Sequence, residues 1–177
     1  MYNWTFSQIE AAYVPRMMMI YNNISRYYGS FFIALYETGC RPVELLERSR
    51  WSRRNLTEFD LITAKGSEPR IIPADQLTPE IISSIDDTSI EPPSFFRISR
   101  RTCERYFYDY FFPDHWFFKD NDLKGSQGMY IFRHIFVKRL IAEGRSFAEV
   151  AAILGEVDLK NIQGYAVSQA FSPVQPQ

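Results

Sequence analysis

Thr38-Gly39-Cys40-Arg41-Pro42-Val43-Glu44-Leu45 holds a helix stop and a helix start within a few residues. The run before it, residues 27–38, is rich in Phe, Tyr and Leu, and Gly39 is the residue type that closes such a helix in the left-handed conformation. Pro42 suits a first helical position, where its missing N–H is not needed, so a second helix is predicted from there to about Arg50. Beyond it, Phe59-Asp60-Leu61-Ile62-Thr63 alternates apolar and polar residues, as a half-buried strand does. Arg70-Ile71-Ile72 makes a second short strand, and the turn-rich residues 64–69 between them suit a β-hairpin. Two helices followed by a hairpin predict a mainly α fold with a small antiparallel β-sheet.

Outward from this centre the remaining signals are helical. Residues 5–14 predict a short helix closed by Pro15, and Met17-Met18-Met19 reads as core filler. A helix is expected near residues 79–84, and a basic, aromatic one over 99–111. Residues 113–128 read as a loop. Residues 129–143 form the clearest helix, with Phe132, Ile135, Phe136 and Leu140 as its apolar stripe and Gly144 at its end. Ser146-Phe147-Ala148-Glu149 is a capping box for a helix that stops at Gly155. Asp158 is the N-cap expected for a last helix through Tyr165, and residues 172–177 are expected to be a mobile tail. Residues 1–171 then make one domain.

The chain has 177 residues, 46% hydrophobic, 23% charged and 16% aromatic, which affords a core and excludes global disorder. No apolar run reaches the roughly 18 residues of a membrane-spanning helix, and no signal peptide is visible, so the expected place is the cytoplasm or the nucleoid within it. Cys40 and Cys103 form no CxxC, and His115 and His134 fall in no ligand spacing, so two buried free thiols and no metal or cofactor are expected. Net charge is −1, yet charge is sorted along the chain. Arg41, Arg48, Arg50, Arg53 and Arg54 outnumber Glu44 and Glu47, while Arg97, Arg100, Arg101 and Arg105 face only Glu104. Lys124, Arg133, Lys138, Arg139 and Arg145 form a third basic segment, and the acids gather in residues 55–96. Such blocks fit either a molecule with one basic and one acidic face or charges that cover solvated helices.

Three segments in this order resemble the catalytic domain of tyrosine recombinases, the phage integrase family. Thr38-Gly39-Cys40-Arg41-Pro42-Val43-Glu44-Leu45, with Trp51 ten residues after Arg41, resembles the family's T-G-x-R-x-x-E-L helix start and the Trp before its hairpin. Lys65 followed by Pro69-Arg70-Ile71-Ile72-Pro73 resembles its hairpin lysine and R-x-x-P exit. Arg133-His134, then Gly144, Leu154-Gly155 and Tyr165, resembles the run from the second arginine to the nucleophilic tyrosine, with nine residues from Glu156 to Tyr165. The match covers residues 28–166. Two positions depart from the pattern. Tyr130 stands where the family usually has His or Lys, although some telomere resolvases carry Tyr there. Glu156 stands where the family usually has His or Trp.

The resemblance implies attack by Tyr165 on a DNA phosphodiester, giving a 3′-phosphotyrosyl link and a free 5′-hydroxyl, without metal or ATP. Arg41 and Arg133 would answer the charge on the non-bridging oxygens with planar, bidentate donors. Lys65 would protonate the leaving 5′-oxygen. Tyr130, one helical turn before Arg133, could donate a hydrogen bond to the phosphate but is a poor base near neutrality, its pKa being about 10. Glu156, acceptor-only when ionised, either takes the proton of Tyr165 or pairs with Arg41 or Arg133 and holds the site closed. The implied partners are double-stranded DNA, contacted through Arg48, Arg50, Arg53, Arg54, Arg100, Arg101, Lys138 and Arg139, and further copies of the chain. The expected assembly is a tetramer on paired sites, and a monomer or weak dimer alone. The family's N-terminal DNA-clamping domain is not evident before residue 28. Two other readings stand beside strand exchange: a weakened member that binds DNA without cutting it, and a helix-turn-helix regulator built on residues 147–165.

Overall fold

The computed structural model describes residues 6–64, 66–87, 94–111 and 125–167. Helix α1 (Phe6–Asn23) buries Ile9, Tyr13, Met17 and Ile20, spaced four, four and three apart along one side. It runs through Pro15, which was expected to close it. Pro15 is exposed, and that one continuous stripe packs residues before and after it on the same core, which outweighs the local loss of a backbone bond. Of the methionine run, Met17 is core, Met19 is half-buried and Met18 is exposed. Ser25 caps α2 (Arg26–Thr38), its hydroxyl accepting from the Tyr28 N–H. Gly39, at φ 61°, closes α2 by donating to the Leu35 carbonyl. A Cβ on Gly29 would lie 2.3 Å from Tyr21 Cα, so α1 and α2 cross at a point where only glycine fits.

The helix predicted from Pro42 is shorter than expected. Helix α3 (Pro42–Leu46) gives way to a 3-10 turn (Arg48–Arg50) and then to β1 (Trp51–Arg53). The Trp51 indole N–H donates to the Glu44 carbonyl at 2.7 Å and anchors that turn of direction. Strands β2 (Glu58–Leu61) and β3 (Arg70–Pro73) complete an antiparallel sheet of order β1-β2-β3, with Trp51 opposite Leu61 and Phe59 opposite Ile72. The hairpin was expected. Strand β1 was not, because Trp51-Ser52-Arg53 is too short to show alternation.

Helices α4 (Pro79–Asp86) and α5 (Arg100–Tyr110) follow, and a 3-10 turn (Gly125–Tyr130) enters α6 (Ile131–Ala142). Helix α6 has no single stripe: Ile131, Phe132, Arg133, Ile135, Phe136 and Val137 are all buried, and Leu140 is only half-buried. It runs through the core, where Tyr13, Phe32, Phe107, Phe111 and Phe132 pack edge to face or tilted around Phe111 at centroid distances from 4.9 to 5.7 Å, with Phe107 stacked. Helix α7 (Phe147–Leu154) begins with the expected capping box: the Ser146 hydroxyl accepts from the Glu149 N–H, and Glu149 accepts from the Ser146 N–H. The Ser146 N–H, and after it the Ser146 hydroxyl, donate to the Glu149 carboxylate and hold it below its ordinary range. Helix α8 (Leu159–Val167) starts where Asp158 accepts from the Lys160 N–H at 2.9 Å. Its Ile162 joins Phe136, Val137, Val150, Ala151 and Leu154 in a second, smaller apolar cluster. Both cysteines are buried free thiols, and among the described residues no helix is long and apolar enough to cross a membrane. The tail 172–177 lies outside the described residues, as does most of the predicted 113–128 loop.

Replacing Pro15 tests the cost carried by α1. Pro15→Ala supplies an N–H for the helix and removes no packing, so it should raise the unfolding free energy by about 2 kcal/mol. That figure is the helix-interior difference of about 3 kcal/mol less about 1 kcal/mol for proline's stiffening of the unfolded chain. Urea unfolding measures it, and a drop in stability would mean that α1 depends on its proline.

Candidate active site

Two helix ends deliver the arginines. A Cβ on Gly39 would lie 2.5 Å from the Phe136 ring, so the end of α2 is pressed against α6. That approach lets Arg133, in the first turn of α6 and 1% exposed, donate from Nη1 to the Gly39 carbonyl at 2.7 Å. Two residues after Gly39, Arg41 is the N-cap of α3, in extended backbone. Arg41 and Arg133, 92 positions apart in sequence, are thus brought together at one glycine.

Between them stands Glu156. Helix α7 ends at Gly155 in the left-handed conformation, and the Glu156 N–H donates back to the Ala151 carbonyl at 2.8 Å. This turn places the Glu156 carboxylate so that its Oε1 accepts from Nη2 of Arg41 and from Nη2 of Arg133, the latter at 2.5 Å. Its Oε2 accepts from Asn161 Nδ2 on α8 at 3.3 Å. The two guanidinium groups therefore converge on one carboxylate oxygen. Of the two roles read from the sequence, pairing with the arginines is seen among the described residues; the other involves the Tyr165 side chain, which lies outside them.

Glu44 builds the floor of the site. Fully buried, it accepts from the Arg41 backbone N–H at 2.7 Å, from Arg41 Nη1 at 3.1 Å and from the Ala64 N–H at 3.0 Å. It sets the direction of Arg41 and fixes the residue before Lys65. On the other side of that loop, the Glu68 N–H donates to the Gly155 carbonyl at 3.0 Å. A Cβ on Gly155 would lie 2.2 Å from the Glu68 carbonyl oxygen, so this contact also depends on glycine. Lys65 itself lies outside the described residues. Glu44 was not among the sequence candidates, although an acid three residues after an N-cap was a visible signal.

Arg70 is the third buried guanidinium. It donates to the Thr38 carbonyl at the end of α2, a favourable place for a cation, while its Nε and Nη1 find no hydrogen-bond partner among the described residues. Burial lowers its pKa from the ordinary value, and burial likewise pushes the neighbouring Cys40 thiol up. Tyr130 sits half-buried at the N-cap of α6, one turn before Arg133. Tyr165 is on α8 one turn after Asn161, and its side chain lies outside the described residues. Among the described residues no cluster of His, Cys, Asp and Glu could hold a metal ion.

The proposed DNA contacts are not a bare basic face. Arg53 forms a two-pronged pair with Asp86 and lies over the Phe59 ring, and Arg54 pairs with Asp60 at 2.8 Å. Arg50 pairs with Glu47, and Arg48 donates to the Ile85 carbonyl. Arg100 pairs with Glu104, while Arg101 is exposed beside it. Arg139 lies over Tyr36 and 3.6 Å from Glu37, and burial lowers the pKa of half-buried Lys138. Asp60 and Asp86 of the 55–96 block thus interleave with the first basic segment, because β2 and α4 pack beside β1.

Removing one partner of a buried ion pair strands the other, so Glu44→Ala should lower the unfolding free energy by about 3 kcal/mol or more. Glu47→Ala, which removes a surface pair, should cost less than about 1 kcal/mol. Equal losses in urea unfolding would show that Glu44 does not organise the site. No protein-family model matches the chain, and neither does any curated protein sequence.

Proposed function

We propose that this chain is a tyrosine recombinase catalytic domain, which cuts and rejoins DNA through a 3′-phosphotyrosyl intermediate. The observation that carries the reading is the convergence of Arg41 and Arg133 on a single oxygen, Glu156 Oε1. One prong, Nη2, of each desolvated fork is aimed at that point while Nη1 is held by Glu44 or by backbone carbonyls, and the two prongs make a site for an anionic oxygen such as a phosphate's. Glu44 and the Gly39–Phe136 contact fix those forks before any substrate arrives, so little reorganisation remains to be done during reaction.

In this reading Tyr165 loses its phenol proton to solvent and attacks phosphorus, the bond from phosphorus to the 5′-oxygen breaks, and Lys65 protonates the leaving 5′-oxygen. Arg41 and Arg133 hold the two non-bridging oxygens, and Tyr130 donates a further hydrogen bond. Double-stranded DNA lies across the surface that carries Arg48–Arg54, Arg100, Arg101, Lys138 and Arg139, and copies of the chain assemble on paired sites. A second reading, a member that binds DNA without cutting it, is favoured by one observation: Glu156 already fills the space between the arginines.

A nicked suicide duplex separates the two. Wild type should give a covalent protein–DNA adduct stable to denaturation, and Tyr165→Phe should give none while folding normally. An adduct persisting in Tyr165→Phe would remove Tyr165 as nucleophile. Arg133→Lys, which keeps the charge but loses the fork, should slow single-turnover adduct formation by about a hundred- to a thousandfold.

A further inference from the structure

Among the described residues, the buried charges of the site do not balance. Arg41, Arg70 and Arg133 contribute three positive charges, and Glu44 and Glu156 contribute two negative ones. Glu44 is committed on both oxygens to the backbone and side chain of Arg41 and to Ala64. Glu156 is not committed in this way. Both its arginine bonds fall on one oxygen, and its remaining oxygen reaches Asn161, an exposed residue of α8. Its backbone lies in the turn between α7 and α8, so it can leave the arginines without unpacking a helix. A phosphodiester carries one negative charge, as Glu156 does. Exchanging one for the other leaves the charge of the buried cluster unchanged, whereas displacing Glu44 would break the support of Arg41.

We infer that Glu156 is an internal stand-in for the substrate phosphodiester, and that its release from Arg41 and Arg133 also frees α8, to which Asn161 ties it. The inference rests on the strand-exchange reading for the identity of the substrate, and it adds a regulatory step to that site. With Glu156 seated, the entry of α8 is fixed at the arginine pair through the chain at residues 156–158 and through Asn161. A diester that takes Glu156's place cuts this tie. The helix carrying Tyr165 keeps its packing on α6 and α7, with Ile162 in the small apolar cluster, and loses the tie that fixes its entry at the arginines. Occupancy of the phosphate site and freedom of the tyrosine helix become one event. The coupling follows ordinary population arithmetic: a ligand that must first displace an internal competitor binds more weakly by the fraction of time the site is open.

The experiment uses the full chain and dimethyl phosphate, a diester monoanion, in titrations followed by NMR of the arginine side chains. Glu156→Gln keeps the shape and removes the charge, and it should bind the diester at least tenfold more tightly than wild type. Amide hydrogen exchange across residues 159–167 should rise in wild type in step with diester occupancy. In Asn161→Ala it should be fast before any diester is added and change little afterwards. Equal diester affinity in wild type and Glu156→Gln would overturn the inference, as would α8 exchange that ignores occupancy in wild type. The outcome is separable from the suicide-duplex result. A chain that makes no adduct can still show the competition and the coupling. A chain that makes adduct, with Glu156→Gln no faster and no tighter than wild type, keeps the enzyme reading and loses this one.

Discussion

Arg41, Arg70 and Arg133 are withdrawn from water within one small volume, and each buried ion costs several kcal/mol that only close opposite charge and well-aimed carbonyls recover. The surrounding structure can be read as the means of recovery. The ends of α2 and α3 present Thr38, Gly39 and Glu44; the hairpin presents Ala64; the α7–α8 turn presents Glu156. Elements far apart in sequence are drawn to the same point because the arginines need acceptors there. The aromatic core around Phe111 and Phe132 supplies cohesion, but the arginine cluster decides which loop meets which.

Much of the fold was legible where the chemistry is local. Gly39, Ser146 and Asp158 each act on atoms within four residues, and each reads correctly as a cap. The hairpin of β2 and β3 reads from alternation. What escaped depends on distant partners. Pro15 looks like a helix stop until the stripe from Ile9 to Ile20 is seen packed on one core. Strand β1 exists because Trp51 is anchored to Glu44 and paired with Leu61. The burial of α6 on nearly every side cannot be told from a stripe when Arg133 interrupts the apolar pattern.

The site divides in the same way. Arg41, Arg133 and Glu156 were singled out by motif and spacing, and the structure brings all three together. Glu44 was read as part of a helix start, and its hold on Ala64 spans 20 positions that no local pattern encodes. Asn161 carried no signal at all, since a polar residue on a short exposed helix looks like solvated surface. Sorting of charge along the chain does not carry over to Asp60 and Asp86, which adjacent strands and helices lay beside Arg54 and Arg53.

That interleaving has a consequence for any polyanion that meets this surface. Arg50, Arg53, Arg54 and Arg100 carry their own resident counterions in Glu47, Asp86, Asp60 and Glu104. A phosphate backbone arriving there trades places with tethered carboxylates, which cannot diffuse away as displaced salt does. The entropy that ordinarily drives a basic protein onto DNA is correspondingly smaller, and affinity should fall less steeply with ionic strength than the number of arginines would suggest. Such a surface holds indifferent polymers loosely and leaves discrimination to contacts that can replace a good ion pair with a better one.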